Sequence, residues 1–275
     1  MIISDQHKYV FIHIPKCAGT SLKQHFEIYE DAWNVSGIWK RNHPEYPELG
    51  ILDHAHIPLF TLKDFFKDEY EKLNSYRTFA VIRDPYKRFP SSMAQRLNMH
   101  CGTQIQYLTK KEIIQEVDST INFLAKNSTK NTQLPVEYIH FQRQVDYIYL
   151  NGNKIIDSVF TIDNLDILLD QFYEYIGCEM PSNEKSKKNN QSIVFKNDIL
   201  RQTIEAVRPF TQFAINHMPK NLKEKLRSKV YVPSAKRHAD IFQSSAVTDF
   251  IKDYYKDDIK LVEQQQSEES EKKYT

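Results

Sequence analysis

A short polar segment near the start of the chain has the residue types of a phosphate-binding loop. It follows the apolar residues 9–14, precedes a helical pattern that runs to Tyr29, and contains in order Lys16, Cys17, Ala18, Gly19, Thr20 and Ser21. The first turn of a helix presents free backbone N–H groups and the positive end of the helix dipole. Gly19 allows close backbone approach, and Lys16 adds a positive charge. The segment predicts an anion-binding loop.

The order of residues differs from that of a nucleoside triphosphate loop. The pattern G-x-x-x-x-G-K-[ST] places its lysine after the glycine and its hydroxyl on magnesium, whereas Lys16 precedes Gly19 here and no glycine comes before it. The spacing therefore does not by itself indicate ATP hydrolysis. A plain turn with an exposed lysine, followed by a helix, is the alternative that these residues leave open.

A second set of anion-binding residues follows the apolar segment 76–82. Arg83 comes directly after this segment, and "DPYKRFPSS" then begins a predicted helix with Asp84 as its cap and Pro85 in its first position. Ligands of open α/β sheets bind at the carboxyl ends of the strands. A guanidinium group with the hydroxyl of Ser91 or Ser92 suits a second phosphate.

Strand and helix patterns alternate along the chain, which predicts an α/β fold with a parallel sheet and helices on both faces. Predicted strands cover 9–14, 76–82, 144–150 and 154–162, and residues 50–59 are predicted to form a short strand that runs into a loop near Pro58. Predicted helices cover 20–29, 61–73, 84–97, 111–125, 164–176, 198–227 except around its two prolines, and 246–264. We expect one domain over residues 1–264. The polar residues 265–275 are predicted to form a disordered tail.

Composition narrows the classes of protein. Hydrophobic residues make up 40 % of the 275 positions, enough for a substantial core. No apolar run approaches the roughly 20 residues of a membrane span, and polar residues follow Met1 closely, so a cytoplasmic location is expected. Three cysteines without a C-x-x-C pair indicate free thiols. A net charge of +1 conceals a basic stretch at 220–237 that suits an acidic polymer or a solvated helix surface equally.

Together, "IPKCAGTSL" and "RDPYKRFPSS" resemble the carbohydrate sulfotransferases that use 3′-phosphoadenosine 5′-phosphosulfate (PAPS), a group that includes heparan sulfate 2-O-sulfotransferase. The resemblance implies a P-loop-like three-layer sandwich with a central parallel sheet. It also implies that residues 16–21 hold the 5′-phosphosulfate, that Arg83 and Ser91 hold the 3′-phosphate, and that adenosine 3′,5′-bisphosphate is the product.

The resemblance extends over most of the chain through "HFQRQVDYI", "TIDNLDILLDQFYEYIG" and "DFIKDYYKDDIKL". In "SAKRHADIF", Lys236 and Arg237 match a basic segment that closes over the nucleotide, while 185–232 looks like a helical insertion. Two positions depart from the family pattern. Cys17 stands where threonine is usual, and Pro90 lies inside the expected helix, which leaves Ser92 as a substitute for Ser91.

"DHAHIP" supplies two candidates for the base that a sulfuryl acceptor needs. An extended chain would place His54 and His56 on one side, and histidine titrates close to working pH. The resembling 2-O-sulfotransferases have a His-x-His between the phosphate motifs, which implies His56 as the base, His54 as its orienting partner and Lys16 at the bridging oxygen. No metal is expected, although a zinc site with additional ligands is an alternative.

The sequence thus predicts an enzyme that transfers sulfate from PAPS to a carbohydrate hydroxyl, with an acidic oligo- or polysaccharide as its partner and neither nucleic acid nor a membrane span involved. Three alternatives stay open at this point: a sulfotransferase for small metabolites or phenols, a nucleotide kinase or ATPase, and an anion- or nucleic-acid-binding module. The acceptor sugar and the oligomeric state are not predicted.

Overall fold

The computed structural model describes residues 1–33, 40–127, 131–181 and 238–271, with short pieces at 193–195, 201–204, 206–207, 218–219, 222, 226 and 229–233. Most of the predicted insertion at 185–232 and of the basic stretch at 220–237 lies outside these residues. Lys236 and Arg237, expected to bind the nucleotide, also lie outside them.

The centre of the fold is a four-stranded sheet in the order β1-β2-β5-β8. Its strands are β1 (Ile2–Ser4), β2 (Tyr9–Ile12), β5 (Arg77–Ile82) and β8 (Ser158–Thr161). The last three are parallel, with Ile12 opposite Ala80 and Ile82 opposite Thr161, so their carboxyl ends share one edge. The strands are almost wholly buried, as in parallel sheets covered on both faces. The antiparallel edge strand β1 is an addition to the prediction.

The α-helices whose bounds are fully described pack in two apolar clusters. Their bounds are α1 Gly19–Phe26, α2 Leu59–Phe65, α3 Lys67–Lys72, α4 Pro85–His100, α5 Lys110–Asn127, α6 Leu165–Ile176, α7 Ala239–Phe242, α8 Ser245–Tyr254 and α9 Lys256–Glu271. One cluster packs the sheet against α1, α2, α6 and α9, and the other joins α4, α5, α7 and α8. The predicted α/β class with a mostly parallel, helix-flanked sheet is confirmed.

Several short strands complete the fold. They are β3 (Lys40–Asn42), β4 (Ile51–Asp53), β6 (Tyr149–Leu150), β7 (Asn153–Lys154), β9 (Ile193–Phe195) and β10 (Tyr231–Pro233), in antiparallel pairs. Residues 50–59 form a short strand that runs into a loop, as predicted: β4 ends at Asp53, where the chain turns and the N–H of His56 donates to the carbonyl of Asp53 at 2.9 Å.

The predicted disordered tail is wrong as far as Glu271, because α9 continues to that residue. The Glu269 carboxylate is buried and accepts hydrogen bonds from the backbone N–H of Thr161 (2.8 Å), the Thr161 hydroxyl (2.7 Å) and Asn164 Nδ2 (2.5 Å). These bonds tie the last turns of α9 to the end of β8. A polar sequence is ordered here by long-range partners that composition does not reveal.

Candidate active site

The predicted phosphate loop joins β2 to α1 with an unusual backbone. Lys16 and Ala18 both have left-handed conformations, with φ of 65° and 60°. Ala18 precedes α1, and no described side chain caps this end. The N–H of Ser21 donates to the carbonyl of Ala18 at 2.9 Å, so the first two N–H groups of the helix, at positions 19 and 20, are the ones that face a ligand. Alternating left- and right-handed residues make a concave surface of N–H groups that favours anions. Gly19, Thr20 and Ser21 form the first positions of α1.

The structure brings Lys16 and Arg83 together at the carboxyl edge of the sheet. Arg83 Nη1 donates to the carbonyl oxygen of Lys16 at 3.2 Å, and Lys16 Nζ donates to Gln95 Oε1 at 3.1 Å. Burial lowers the pKa of Lys16, and the charge of Arg83 lowers it further. Burial also lowers the pKa of Arg83. Both hydrogen bonds go to neutral oxygens, so an anion between the two cations would stabilise both charges.

The helix after Arg83 starts as predicted. The Asp84 carboxylate accepts from the N–H of Tyr86 at 2.9 Å, and α4 continues through Pro90 to His100. Ser92 is buried and its hydroxyl donates to the carbonyl of His140 at 2.8 Å. Ser91 is half-buried on the same turn. Because Ser92 is committed to the protein, Ser91 is the better of the two candidates for a ligand contact.

Cys17 faces the protein interior. Its side chain is 1 % exposed, and its thiol donates to Gln144 Oε1 at 3.2 Å. Burial raises the pKa of this thiol to about 11. A neutral, enclosed thiol is a poor nucleophile. At this position only the backbone can meet a ligand.

His56 is buried beside two other histidines. Its ring lies 4.5 Å from that of His13 and 5.5 Å from that of His140 between centroids. His56 Nδ1 is 2.7 Å from the carbonyl oxygen of His13, which can only accept, so Nδ1 carries the proton and Nε2 keeps its lone pair. Burial lowers the pKa of His56 to about 3. The ring is therefore neutral at pH 7, with the lone pair on Nε2.

His54 lies in a different environment, and the expected one-sided arrangement with His56 is wrong. The turn after Asp53 replaces the extended chain on which that expectation depended. The ring of His54 stacks on Trp33 at 4.3 Å between centroids, and its Nε2 is 3.1 Å from His43 Nε2. The structure therefore does not bring His54 against His56.

Within the described residues, one group of side chains has the composition of a metal site. Asp53, His56 and His140 are buried and offer ligand atoms within 4.8 Å of one another. His140 Nδ1 is buried and has no hydrogen-bond partner in the described part of the chain. Burial lowers the pKa of both His56 and His140, and the positive charges of Lys16 and Arg88 lower it further; the same charges oppose a bound cation. The arrangement suits a neutral base facing an anion better than a metal ion.

Two buried charged residues lie near the site that the sequence motifs did not indicate. Arg88 donates to the carbonyl oxygens of Pro15 (2.9 Å), His140 (3.2 Å) and Gln142 (2.6 Å), so it links α4 to the loop. Asp258, on α9, is wholly buried near Arg88. A usable signal existed for Asp258, because it continues the apolar stripe of residues 251, 255 and 262 at helical spacing.

Comparisons with known proteins agree with this geometry. The model of the sulfotransferase family matches residues 1–263. Carbohydrate sulfotransferase 10 of Xenopus laevis is 32 % identical over 97 residues, which are 35 % of this chain and 25 % of that protein. Carbohydrate sulfotransferase 10 of Gallus gallus is 29 % identical over the same shares. The matched region thus spans about a quarter of these relatives. No solved structure matches significantly.

These matches correct one expectation and confirm another. The expected cytoplasmic location is wrong, because the matched carbohydrate sulfotransferases are Golgi enzymes. No helix in the described part of the chain has both the length and the apolar character to cross a bilayer. The resemblance seen in the two phosphate motifs is confirmed at the level of the family, and with it the prediction of an enzyme. The chain belongs to the sulfotransferase family.

Proposed function

We propose that this protein transfers a sulfuryl group from PAPS to a hydroxyl group of a carbohydrate. The observation that carries the proposal is the meeting of Lys16 and Arg83 beside the uncapped start of α1, because this arrangement offers two cations and free N–H groups at one edge of the sheet. The family match and the carbohydrate sulfotransferase relatives support the same reaction class. In this proposal the sheet and loop form a P-loop-like three-layer sandwich.

The donor would lie along the carboxyl edge of the sheet. We assign the 5′-phosphosulfate to the loop of residues 16–21 and the 3′-phosphate to Arg83 and Ser91, with Lys236 and Arg237 as further contacts. A cleft of about 220 Å³ beside Arg83 continues between the ends of β5 and β8 and is bounded by α9. It has room for part of the nucleoside. PAPS supplies the sulfuryl group, and adenosine 3′,5′-bisphosphate is the product.

Catalysis in this proposal uses two side chains near the loop. His56 Nε2 has its lone pair free and accepts the proton of the acceptor hydroxyl as that oxygen attacks sulfur. Lys16 neutralises the charge that develops on the leaving phosphate oxygen. His140, whose Nδ1 lacks a partner among the described residues and whose ring lies beside His56, would bind the acceptor. No metal takes part, and His54 supports the site only through packing.

For the acceptor we propose an acidic oligo- or polysaccharide. Seven basic residues occur between positions 220 and 237 against one acidic residue, Glu224, and such a density of positive charge attracts a polyanion. A small metabolite or phenol would instead need a narrow apolar pocket. Nucleic acid is not expected as a partner.

Two measurements test the proposal. Isothermal titration should show tight binding of adenosine 3′,5′-bisphosphate without magnesium and weak binding of ATP; the reverse order would identify a kinase or ATPase. Sulfate-labelled PAPS should then be offered to defined acidic glycans, neutral glycans and simple phenols. Transfer to a phenol alone, with no glycan modified, would contradict the carbohydrate assignment.

A further inference from the structure

We propose that Gln144 helps to hold the two phosphate motifs at a fixed distance from each other, beside the direct bonds that Arg83 and Arg88 make to the loop. This inference rests on the proposed function, because it concerns how the site binds a ligand that carries both phosphates. Gln144 belongs to neither motif and lies 61 positions beyond Arg83 in the chain. Its side chain nevertheless contacts both.

The first contact is a double hydrogen bond to the backbone of Arg83. Gln144 Oε1 accepts from the N–H of Arg83 at 2.8 Å, and Gln144 Nε2 donates to the carbonyl of Arg83 at 2.8 Å. A backbone N–H only donates and a carbonyl only accepts, so this pair determines the orientation of the amide group. The glutamine thereby pairs with Arg83 as a neighbouring strand would, just where β5 ends.

The second contact reaches the phosphate loop. Gln144 Oε1 also accepts from the thiol of Cys17 at 3.2 Å, and Cys17 lies between the two left-handed residues of that loop. One amide oxygen is thus shared by the loop after β2 and the motif after β5. The Cys17 thiol is one end of this connection.

The amide is itself held in place from behind. The Asp258 carboxylate on α9 accepts from the backbone N–H of Gln144 at 2.8 Å and from that of Val145 at 3.0 Å. Gln144 and Asp258 are both 0 % exposed. A buried network in which each polar group is satisfied has one preferred geometry, and loss of one member leaves the others unpaired. Gln144 is therefore a positioning residue, which acts on the ligand through Cys17 and Arg83.

The test compares Gln144→Leu with Gln142→Leu as a matched control. Gln142 is also buried, but its side chain bonds to Leu134, Thr132 and Asp146 and contacts neither phosphate motif. Affinities are measured by isothermal titration for adenosine 3′,5′-bisphosphate, adenosine 5′-phosphate and adenosine 3′-phosphate, and thermal unfolding reports the folded fraction of each variant. Steady-state kinetics with PAPS separates KM from kcat.

Gln144→Leu is expected to lower the affinity for the bisphosphate by about tenfold or more and to lower the affinity for each monophosphate by a smaller factor. It is also expected to raise the KM for PAPS by a larger factor than it lowers kcat. Gln142→Leu is expected to lower the unfolding temperature without these changes in affinity. Equal affinity losses in the two variants, or an unchanged bisphosphate affinity in folded Gln144→Leu, would overturn the inference.

Where Gln144→Leu does not fold, Cys17→Ala provides a milder test. It removes the thiol's bond to Gln144 and its longer contact with the carbonyl of Pro15 (3.5 Å), but it keeps the double bond between Gln144 and Arg83. The affinity for adenosine 5′-phosphate is therefore expected to fall while that for adenosine 3′-phosphate stays the same; equal loss for both ligands, or for neither, would count against the proposal. If the wild-type protein does not bind the bisphosphate, the proposed function itself is contradicted. If the wild type binds it and the variant binds it with the same affinity, only the role of Gln144 is contradicted.

Discussion

The imidazole of His13 occupies the space into which a side chain at position 19 would project. A Cβ atom added to Gly19 would overlap Nε2 of His13 and crowd both neighbouring ring carbons. Gly19 is thus needed because the ring of His13 lies against the first residue of α1. Its backbone is not left-handed, so conformational freedom is not the reason for the glycine. His13 in turn contacts His56 through its carbonyl oxygen and its ring. The phosphate loop and the proposed base are therefore packed as one unit.

From this contact we predict that Gly19→Ala displaces His13 and disturbs both functions. Affinity for adenosine 3′,5′-bisphosphate and the thermal stability should both fall, with a stability loss of about 1–3 kcal/mol typical of overpacking. The double variant Gly19→Ala with His13→Ala should recover part of the stability, because the clash is removed. A double-mutant cycle by thermal denaturation measures this, and simple additivity of the two losses would argue against the steric explanation.

His56→Ala should strongly lower turnover while leaving bisphosphate affinity nearly unchanged. A general base contributes a factor of about 10²–10⁴ to the rate, so kcat should decrease by a factor in that range. The measurement pairs labelled-sulfate transfer with titration of adenosine 3′,5′-bisphosphate. His54→Ala is the informative comparison: because its ring packs on Trp33 and His43, we expect lower stability with a smaller effect on kcat. Near-full activity of folded His56→Ala would rule out its role as the base.

Arg83→Ala should discriminate between ligands by their 3′-phosphate. Hydrogen bonds to charged groups contribute about 1.5–3 kcal/mol, so affinity for adenosine 3′,5′-bisphosphate should fall by roughly ten- to a hundredfold. Affinity for adenosine 5′-phosphosulfate, which lacks the 3′-phosphate, should change little. Titration of both ligands with the variant checks this, and similar losses for the two would place Arg83 elsewhere in the ligand site.

Stability should depend on pH through the buried His56. Its pKa is lowered to about 3 by burial, below the 6.5 of an unfolded histidine. Between these values the unfolded chain binds the proton and the folded protein does not. The contribution of neutral, buried His56 to the free energy of unfolding is therefore complete above pH 6.5 and is lost as the pH falls below it. Relative to His56→Gln, the wild type should lose about 1.4 kcal/mol per pH unit in that window. Parallel urea denaturation curves between pH 7 and pH 4.5 measure the difference.

Sulfate transfer should persist in EDTA after extensive dialysis, because the side chain of Lys16 supplies the positive charge near the transferred group. The assay compares the initial rate before and after chelation. A different result would contradict this: activity is lost in EDTA, added zinc restores it in the wild type, and added zinc does not restore it in Asp53→Asn. That result would assign a metal to Asp53, His56 and His140.

Predictions from local pattern succeeded where neighbours in the chain determine the structure. The cap at Asp84 with Pro85 in the first helical turn is an example, and so is Gly177, whose φ of 67° ends α6 where the sequence indicated. These features depend on the conformational preferences of a few adjacent residues. The one-sided His54–His56 pair failed because a turn at Asp53 redirects the chain, and the tail failed because Glu269 finds its partners on β8.

By itself, the sequence determined that a loop with Lys16 precedes one helix and that Arg83 precedes another, since residue order and local propensity are sufficient for both. Only the tertiary structure decided that these loops meet, that the shared partner of Arg83 and Cys17 is Gln144, and that His140 lies beside His56. Parallel strands place the loops at one edge of the sheet, and burial then leaves Gln144 and His56 with specific partners far away in the chain. Hydrogen bonds between buried polar groups that are far apart in the chain cannot be predicted from a local sequence pattern.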